Sequence, residues 1–183
     1  MQAYQCAERE GQLERRILTI IDYSLPSSEP RLWVIDVARQ EVLYHELVAH
    51  GEGSGTNLAV AFSNEMNSHK SSLGLFRTGE VYTGRFGYSL RLSGLEPGFN
   101  DRARARAIVM HGDSDVSPAF AAQWGMVGVS WGCPAVPQEV APQIIKRIAG
   151  GSAIFAYYPD AAWLRASHYL HCDVQIAGVS SSN

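Results

Sequence analysis

Residues 106–112, RAIVMHG, form a compact apolar run that closes on a histidine and a glycine. A short, continuous apolar run of this kind predicts a buried strand, which we expect to end at His111. Further along the chain, residues 129–136, VSWGCPAV, place Cys133 directly after Ser-Trp-Gly. Two interpretations follow. Either His111 activates Cys133 as a nucleophile, or the two residues are separate pieces of a folded core.

The composition is that of one globular domain. The chain has 183 residues, 46% of them hydrophobic and 18% charged, and a domain of this size buries about two-thirds of its unfolded surface. A net charge of −3 gives no general attraction to nucleic acid or to an anionic membrane, so we expect neither as a partner. Of the basic residues 13 are Arg and 2 are Lys, which favours planar, bidentate recognition of carboxylates. No apolar run approaches the ~20 residues of a membrane-spanning helix.

The hydrophobic pattern predicts a single, mainly β domain over residues 1–183, with two or three helices. Leucine and isoleucine on one face, with charges opposite, predict an N-terminal packing helix over residues 8–22. The core then occupies residues 30–158, and residues 159–183 form a C-terminal tail.

Several segments of the predicted core have the composition of strands. Residues 32–37 and 42–48 predict a hairpin, and apolar segments within residues 76–92, separated by glycines, predict further strands. Residues 134–151, PAVPQEVAPQIIKRIAGG, predict a helix with its isoleucines on one face and a glycine pair at its end.

Cys133 has the context of a nucleophilic thiol. A cysteine attacks as the thiolate, so it needs a nearby imidazole or a helix N-terminus. We expect Cys133 to lie just before the predicted helix, where the helix dipole favours a thiolate. Gly132 permits a tight turn with exposed amides, as an oxyanion hole requires, and Gly112 leaves a carbonyl free to orient His111. On these residues alone, a buried cysteine and a hydrogen-bonded core histidine are the more frequent alternative.

The ordered set of motifs resembles the L,D-transpeptidase (YkuD-type) catalytic domain family, which remodels bacterial peptidoglycan. The chain is most similar to a divergent branch with Ser-Trp-Gly-Cys-Pro-Ala at the nucleophile. The resemblance implies a mainly β, sandwich-like domain with the site in a groove between its sheets. It covers residues 17–157 and is carried by IIDYSLPSSEPRLWVIDV (20–37), VAHGEGSG (48–55), SSLGLFRTGEVYTG (71–84), SLRLSGLEPGFND (89–101), RAIVMHG and VSWGCPAV.

The resemblance implies a role for each residue of the two central motifs. Cys133 matches the nucleophile, His111 its base, and Gly112 the carbonyl that orients the imidazole. Ser130 matches a serine near the thiol, and the amides of Gly132 and Cys133 would hold the oxyanion. The thiolate would attack the diamino-acid carbonyl of a stem peptide and release D-alanine, and an amine of a second stem would resolve the thioester as a crosslink. With water as the acceptor the enzyme would be an L,D-carboxypeptidase, and no cofactor is implied.

The sequence departs from the commoner family pattern beside the nucleophile. Ala135 stands where that pattern has an arginine, and Trp131 stands where a histidine or arginine is more usual, so another arginine would have to bind a donor carboxylate. The candidate substrate-binding residues are Arg77, Arg85, Arg91, Tyr82, Tyr88 and Trp131. Each arginine has an alternative as a solvated strand charge, and each tyrosine as half-buried packing. The acceptor and the stem bond stay open.

Two polar segments allow more than one interpretation. NDRARARA, residues 100–107, is predicted to be a solvated basic face, with attraction to the anionic cell wall as the alternative. NEMNSHKSS, residues 64–72, is either a substrate loop or a plain connection.

The remaining cysteines lie near the two ends of the chain. A bridge between Cys6 and Cys172 would close a very long loop and contribute a few kcal/mol, with unpaired thiols as the alternative. His168 and His171 beside Cys172 have a partial metal-ligand spacing. Zinc sites need four ligands at characteristic spacings, and a disulfide would remove one of these, so we expect no metal.

We expect an exported, periplasmic or wall-facing protein. The peptidoglycan substrate and disulfide chemistry both lie outside the cytoplasm. The start, MQAYQCAERE, lacks the layout of a signal peptide, so on the sequence alone either a leader has been removed or the protein is cytoplasmic, and the resemblance favours a removed leader. A second functional hypothesis is a catalytically silent domain that binds the cell wall. The joint presence of a reactive thiol and an imidazole favours the enzyme, because a pure binder needs neither.

Overall fold

The structure is a computed structural model; it describes residues 1–172, which contain five α-helices and eight strands. The helices are α1 (Gln2–Arg9), α2 (Pro118–Trp124), α3 (Ala141–Ile148), α4 (Ala161–Ala166) and α5 (His168–His171), and a 3-10 turn spans Glu52–Ser54. The strands are β1 (Ile17–Asp22), β2 (Leu32–Asp36), β3 (Glu41–Glu46), β4 (Gly74–Gly84), β5 (Gly87–Gly94), β6 (Val109–Asp113), β7 (Ala135–Pro137) and β8 (Ala153–Tyr157). Among the described helices, none has the length and apolar character needed to cross a membrane.

The eight strands form one sheet in the order β3-β2-β1-β8-β4-β5-β6-β7, and this sheet is nearly closed. β1 is parallel to β8 and β6 is parallel to β7, whereas the other neighbouring pairs are antiparallel. The predicted hairpin in the first part of the core is confirmed as β2–β3. The prediction of a mainly β, sandwich-like domain with a few helices is also confirmed.

Strand β1 lies inside the sheet and is buried on both faces. Ile17 and Ile21 belong to the main core, which also receives the isoleucines of α3, whereas Leu18 packs with α1 on the opposite face. The predicted helix over residues 8–22 is therefore wrong, because α1 ends at Arg9 and the apolar run that follows is a strand. A strand with two buried faces shows a continuous apolar run, which periodicity cannot distinguish from a buried helix.

The predicted tail, residues 159–183, is packed on the domain as far as the structure describes it. Helix α4 buries Trp163 completely, and its indole Nε1–H donates to Glu96 Oε2 at 2.9 Å. A buried indole with a satisfied N–H is an anchor rather than a loose end. The prediction of a tail is wrong for α4 and α5, whose short sequences carry little periodicity, and residues 173–183 lie outside the described residues.

A disulfide between Cys6 and Cys172 ties α1 to the end of α5. The two Cα atoms are 6.1 Å apart, and 166 positions separate the cysteines in the sequence. Cys6 is fully buried, so the bridge is anchored in the packing between α1 and the sheet. A cross-link that closes so long a loop restricts the unfolded chain far more than the folded one.

Replacement of both bridging residues, Cys6→Ser with Cys172→Ser, is expected to lower the free energy of unfolding by about 2–5 kcal/mol, because the unfolded chain regains conformational freedom. Urea denaturation followed by tryptophan fluorescence measures the loss. The unaltered protein in the presence of a thiol reductant serves as the control and should show the same loss. An unchanged denaturation midpoint in both samples would contradict this role of the bridge.

Candidate active site

A cavity of about 390 Å³ opens between the tip of the β4–β5 hairpin and the segment that leads into β7. Its walls come from that tip, from residues in and before β6, and from the segment before β7. They are Arg85, Phe86, Arg106, Ala107, His111, Asp113, Val129, Ser130, Trp131 and Cys133. The structure therefore brings His111 and Cys133 into one cavity.

His111 is held in place by the strand that carries it. The residue lies within β6, one position from Gly112, rather than at the end of the strand as the sequence predicts. Its Nδ1 lies 2.9 Å from Gly112 O, so Nδ1 carries the hydrogen that is donated and Nε2 is left to accept a proton. The ring of Phe86 stacks on the imidazole with centroids 4.3 Å apart. These contacts fix the imidazole plane and its tautomer.

Cys133 is buried and bonded to the backbone of the segment that enters β6. The Val109 N–H donates to its Sγ at 3.4 Å, and the thiol donates to Ala107 O at 3.8 Å. Burial raises the pKa of the Cys133 thiol above its ordinary value, against the opposing effects of the Val109 N–H and the charge of Arg106. Near neutral pH the group is therefore a thiol, and a base must remove its proton before it can attack.

Cys133 lies two residues before strand β7, not directly before a helix. The expectation that a helix dipole activates it is therefore wrong, because α3 begins only at Ala141, after β7. The sequence PAVP forms a short strand beside β6, and the helical pattern begins later than expected. A parallel pairing with β6 takes the place of the helix in positioning the thiol, with His111 opposite Ala135.

The turn before Cys133 is closed by a serine. Ser130 Oγ donates to Cys133 O at 2.7 Å and accepts from the Gly132 N–H at 3.0 Å. Gly132 has φ +109, and a Cβ at that position would lie 2.6 Å from Lys70 O, so glycine is required there. The Gly132 amide, expected to face an oxyanion, is thus already bonded to Ser130.

A buried arginine, Arg31, is linked to this turn by hydrogen bonds through His50. Arg31 is fully buried and donates to Val48 O and Leu25 O, and its Nη2 lies 2.7 Å from His50 Nδ1. The His50 carbonyl in turn accepts from the Ser130 N–H at 2.9 Å. Burial, followed by the charge of Arg31, lowers the pKa of His50 to about 4, so His50 is neutral and accepts from the guanidinium.

Three residues of this arrangement are not predicted from the sequence: Arg31, His50 and Phe86. An arginine at the start of a strand is ordinarily solvent-exposed, so nothing in the sequence separates Arg31 from the surface arginines. Phe86 lies between two glycines in the hairpin tip, where an apolar side chain with no strand partner is the one available signal.

The structure places the candidate substrate-binding arginines in different surroundings. Arg77 pairs with Glu14, and Arg91 pairs with Glu80 at 3.3 Å. Neither lines the cavity, because only the tip of the long β4–β5 hairpin reaches it, and the tip carries Arg85.

The aromatic candidates are likewise divided. The guanidinium carbon of Arg91 lies over the ring of Tyr82, 4.3 Å from the ring centroid. Neither Tyr82 nor Tyr88 lines the cavity. Trp131 does line it, is 63% exposed, and stacks on His69 with centroids 4.7 Å apart.

One group of potential metal ligands lies away from this cavity. Atoms of Cys6, Glu10, His168 and Cys172 all lie within 4.8 Å of one another. Both sulfur atoms belong to the disulfide and are not available as thiolates, and the pair His168 and Glu10 are hydrogen-bonded to each other at 2.6 Å. The other candidate ligand, His171, contacts Leu164 O instead.

A family model of the L,D-transpeptidase catalytic domain (YkuD_2) matches residues 1–157. The chain belongs to this family, and the resemblance inferred from the motifs is confirmed. No curated protein matches the chain.

The chain is also similar to solved structures at low sequence identity. An L,D-transpeptidase from Mycobacterium smegmatis is 13% identical, with a TM-score of 0.47 over 78% of this chain and 59% of that chain. Bd1075 of Bdellovibrio bacteriovorus is 14% identical, with a TM-score of 0.48 over 78% of this chain and 48% of that chain. An L,D-transpeptidase from Xylanimonas cellulosilytica is 16% identical, with a TM-score of 0.45 over 85% of this chain and 78% of that chain. The chain spans less than two-thirds of the length of the first two proteins.

The stability of the protein is expected to fall with pH from about 6.5 toward 4 because of His50. In this window the unfolded chain binds a proton at His50, whose ordinary pKa is about 6.5, while the folded chain, with a pKa of about 4, does not. The free energy of unfolding should therefore drop by up to about 1.4 kcal/mol per pH unit. Urea unfolding at a series of pH values across the window measures this slope.

The variant His50→Gln provides the comparison, since its amide oxygen can still accept from Arg31 but does not titrate. Its stability should depend less on pH than that of the unaltered protein. Equal slopes for the two proteins would show that His50 is not the group responsible.

Proposed function

We propose that this chain is a cysteine acyltransferase that modifies stem peptides of bacterial peptidoglycan. The observation that supports this most is the cavity shared by Cys133 and His111, in a member of the L,D-transpeptidase catalytic domain family. The buried thiol needs a base. The imidazole in the same cavity has its Nδ1 bound to a carbonyl, and its Nε2 has no hydrogen-bond partner within residues 1–172. An activated cysteine nucleophile requires such a base, with one ring nitrogen held in place and the other available to take the proton.

The first step is proton transfer from Cys133 to His111. The thiol turns from Ala107 O toward the cavity, and His111 Nε2 takes its proton. The imidazolium that forms keeps its Nδ1–H on Gly112 O, which accepts a stronger hydrogen bond from the charged ring. Stacking against Phe86 keeps the ring plane fixed during the transfer.

The thiolate then attacks the diamino-acid carbonyl of a donor stem peptide. The carbonyl oxygen becomes an oxyanion, for which the Cys133 N–H is the donor, because the Gly132 N–H is bonded to Ser130 Oγ. As the tetrahedral intermediate collapses, the C–N bond breaks and D-alanine leaves with the proton from His111. A thioester remains on Cys133.

Acyl transfer to an amine completes the reaction. The amine of a second stem peptide attacks the thioester carbonyl and gives a proton to His111, the C–S bond breaks, and the proton returns to the sulfur. The product is a crosslink between two stems and the free thiol is restored. Water in place of the amine would give a shortened stem and a carboxypeptidase.

Of the three candidate arginines, Arg77, Arg85 and Arg91, it is Arg85 that binds a carboxylate of the donor stem in this proposal. Its exposed guanidinium lines the cavity and lies 5.5 Å from the ring centroid of Phe86. No carboxylate of the described residues pairs with it, whereas Arg77 and Arg91 are neutralised by glutamates. A guanidinium matches a carboxylate with two parallel hydrogen bonds.

The site of action is the cell wall, outside the cytoplasm. The stem peptides of mature peptidoglycan lie there, and the disulfide between Cys6 and Cys172 is of a kind that persists in oxidising compartments.

Incubation with diaminopimelate-type muropeptides, tetrapeptide monomers included, is expected to yield a crosslinked dimer that has lost one D-alanine. The dimer forms because the thioester on Cys133 is resolved by a second stem, and mass spectrometry with fragmentation identifies the new bond. Cys133→Ala should give no product, and His111→Gln should slow the reaction by a factor of roughly 100 or more, since it removes the base.

The other products decide between the alternatives. Shortened tripeptide without dimer would assign a carboxypeptidase. Binding of muropeptides without any Cys133-dependent product would contradict the enzyme and favour the silent wall-binding domain.

Substitution of the cavity arginine, Arg85→Gln, is expected to raise KM for the donor about tenfold, the cost of about 1.4 kcal/mol for one lost charged contact. Steady-state rates with two donors test this, one with a free C-terminal carboxylate and one with that group amidated. The variant and the unaltered enzyme should differ on the first donor only. Arg77→Gln, on the same hairpin but paired with Glu14, is the matched control, and an effect of equal size there would contradict the assignment to Arg85.

A further inference from the structure

Arg106 is not part of a solvated basic face, as the sequence predicts for residues 100–107. Arg102 and Arg104 are exposed, but Arg106 is half-buried and lines the cavity of Cys133. The prediction is wrong at this position because the chain leads into strand β6 here, and the Arg106 side chain packs against residues 63–72 and not into solvent.

The guanidinium of Arg106 is bonded to the segment of residues 63–72. Its Nη1 donates to Ser63 O at 2.8 Å and Ser72 Oγ at 2.6 Å, and its Nη2 donates to Ser68 Oγ at 3.2 Å and Lys70 O at 2.6 Å. Each terminal nitrogen has two N–H groups, so all four are engaged. Arg106 is therefore committed to this segment and has no terminal N–H left for a substrate, unlike Arg85.

The segment held by Arg106 packs against the turn that carries the nucleophile. Lys70 O occupies the space that a side chain on Gly132 would need, 2.6 Å from the position of a Cβ. Ser71 Oγ donates to Gly132 O at 3.5 Å and accepts from the Gly51 N–H at 3.0 Å. Arg106 is thus linked to the backbone beside Cys133 through Lys70 and Ser71, which contact Gly132.

The charge of Arg106 has no acidic partner. No carboxylate lies within ion-pair distance of it in residues 1–172. Its partners are neutral carbonyl and hydroxyl groups, so no carboxylate of the described residues compensates the positive charge that lies beside the cavity. Burial lowers the pKa of Arg106, an effect that the charge of the Cys133 thiolate opposes.

We propose that Arg106 is a positioning residue for the nucleophile: it fixes the 63–72 segment against the Gly132–Cys133 turn, and its uncompensated charge stabilises the Cys133 thiolate. The inference rests on the proposed role of Cys133 as nucleophile. It gives the segment of residues 63–72 a structural role beside the thiol, and it supplies a charge that favours the thiolate against the opposing effect of burial.

Alkylation of Cys133 by iodoacetamide across a range of pH tests the charge. The chain has three cysteines and two are bridged, so Cys133 is the one free thiol. Arg106→Gln should move the alkylation profile to higher pH by about one unit, which is a roughly tenfold slower reaction at a fixed pH below the pKa. Arg106→Lys keeps the charge and should stay within about twofold of the unaltered protein.

Arg104→Gln is the matched control. Arg104 lies two positions away and pairs with Glu80 on the surface at 2.6 Å, so its alkylation profile should coincide with that of the unaltered protein. Thermal unfolding of each variant shows whether the fold is intact. A folded Arg106→Gln protein with an unshifted profile would overturn the proposal.

Arg106→Lys tests the positioning role, and it does so even if Arg106→Gln does not fold. A lysine cannot reach the four acceptors at once, so acyl transfer should fall at least tenfold although the thiol still ionises normally. Full acyl transfer in Arg106→Lys would overturn the positioning role. Alkylation needs no peptidoglycan substrate, so a shifted profile in a protein that forms no muropeptide product would count against the proposed function and not against this inference.

Discussion

The parallel pairing of β6 with β7 is the constraint on which the rest of the site depends. It sets His111 opposite Ala135 and Gly112 opposite Val136, and so fixes His111 relative to Cys133, which lies two residues before this ladder. Strands determine direction more firmly than loops do. Gly112 also has a packing duty, because a Cβ there would lie 2.9 Å from the Cβ of Ala141 in α3. The same three-residue ladder therefore positions His111 and packs the sheet against α3.

Two arginines hold the irregular segments around that ladder. Arg31 bonds to backbone carbonyls and a neutral histidine, and Arg106 to carbonyls and serine hydroxyls, with no carboxylate bonded to either among the described residues. Burial of a guanidinium costs free energy, and a full set of hydrogen bonds offsets that cost. Such a cation organises several loop carbonyls at once, which neutral side chains of the same length cannot do. The Ser130–Cys133 turn lies between the segments that the two arginines hold.

Much of this arrangement follows from local sequence, and the part that does not has identifiable causes. The hairpin β2–β3 and the strand around His111 were predictable from alternation and apolar runs, and the ordered motifs identified the family. Strand β1 resembled a helix because both its faces are buried. The placement of Cys133 before a helix failed because three residues of β7 intervene. The choice of Arg85 over Arg77 and Arg91 depends on which part of the hairpin reaches the cavity, which no local pattern contains.

We propose that His111 forms the Cys133 thiolate and that a stem peptide acylates it. The most direct test is the intact mass of the protein, quenched shortly after mixing with a tetrapeptide donor and no acceptor amine. We expect a protein heavier by the mass of the donor less one D-alanine, with the added mass on Cys133 in a peptide digest and a much slower appearance in His111→Gln. No added mass, or a modification elsewhere in the chain, would contradict it.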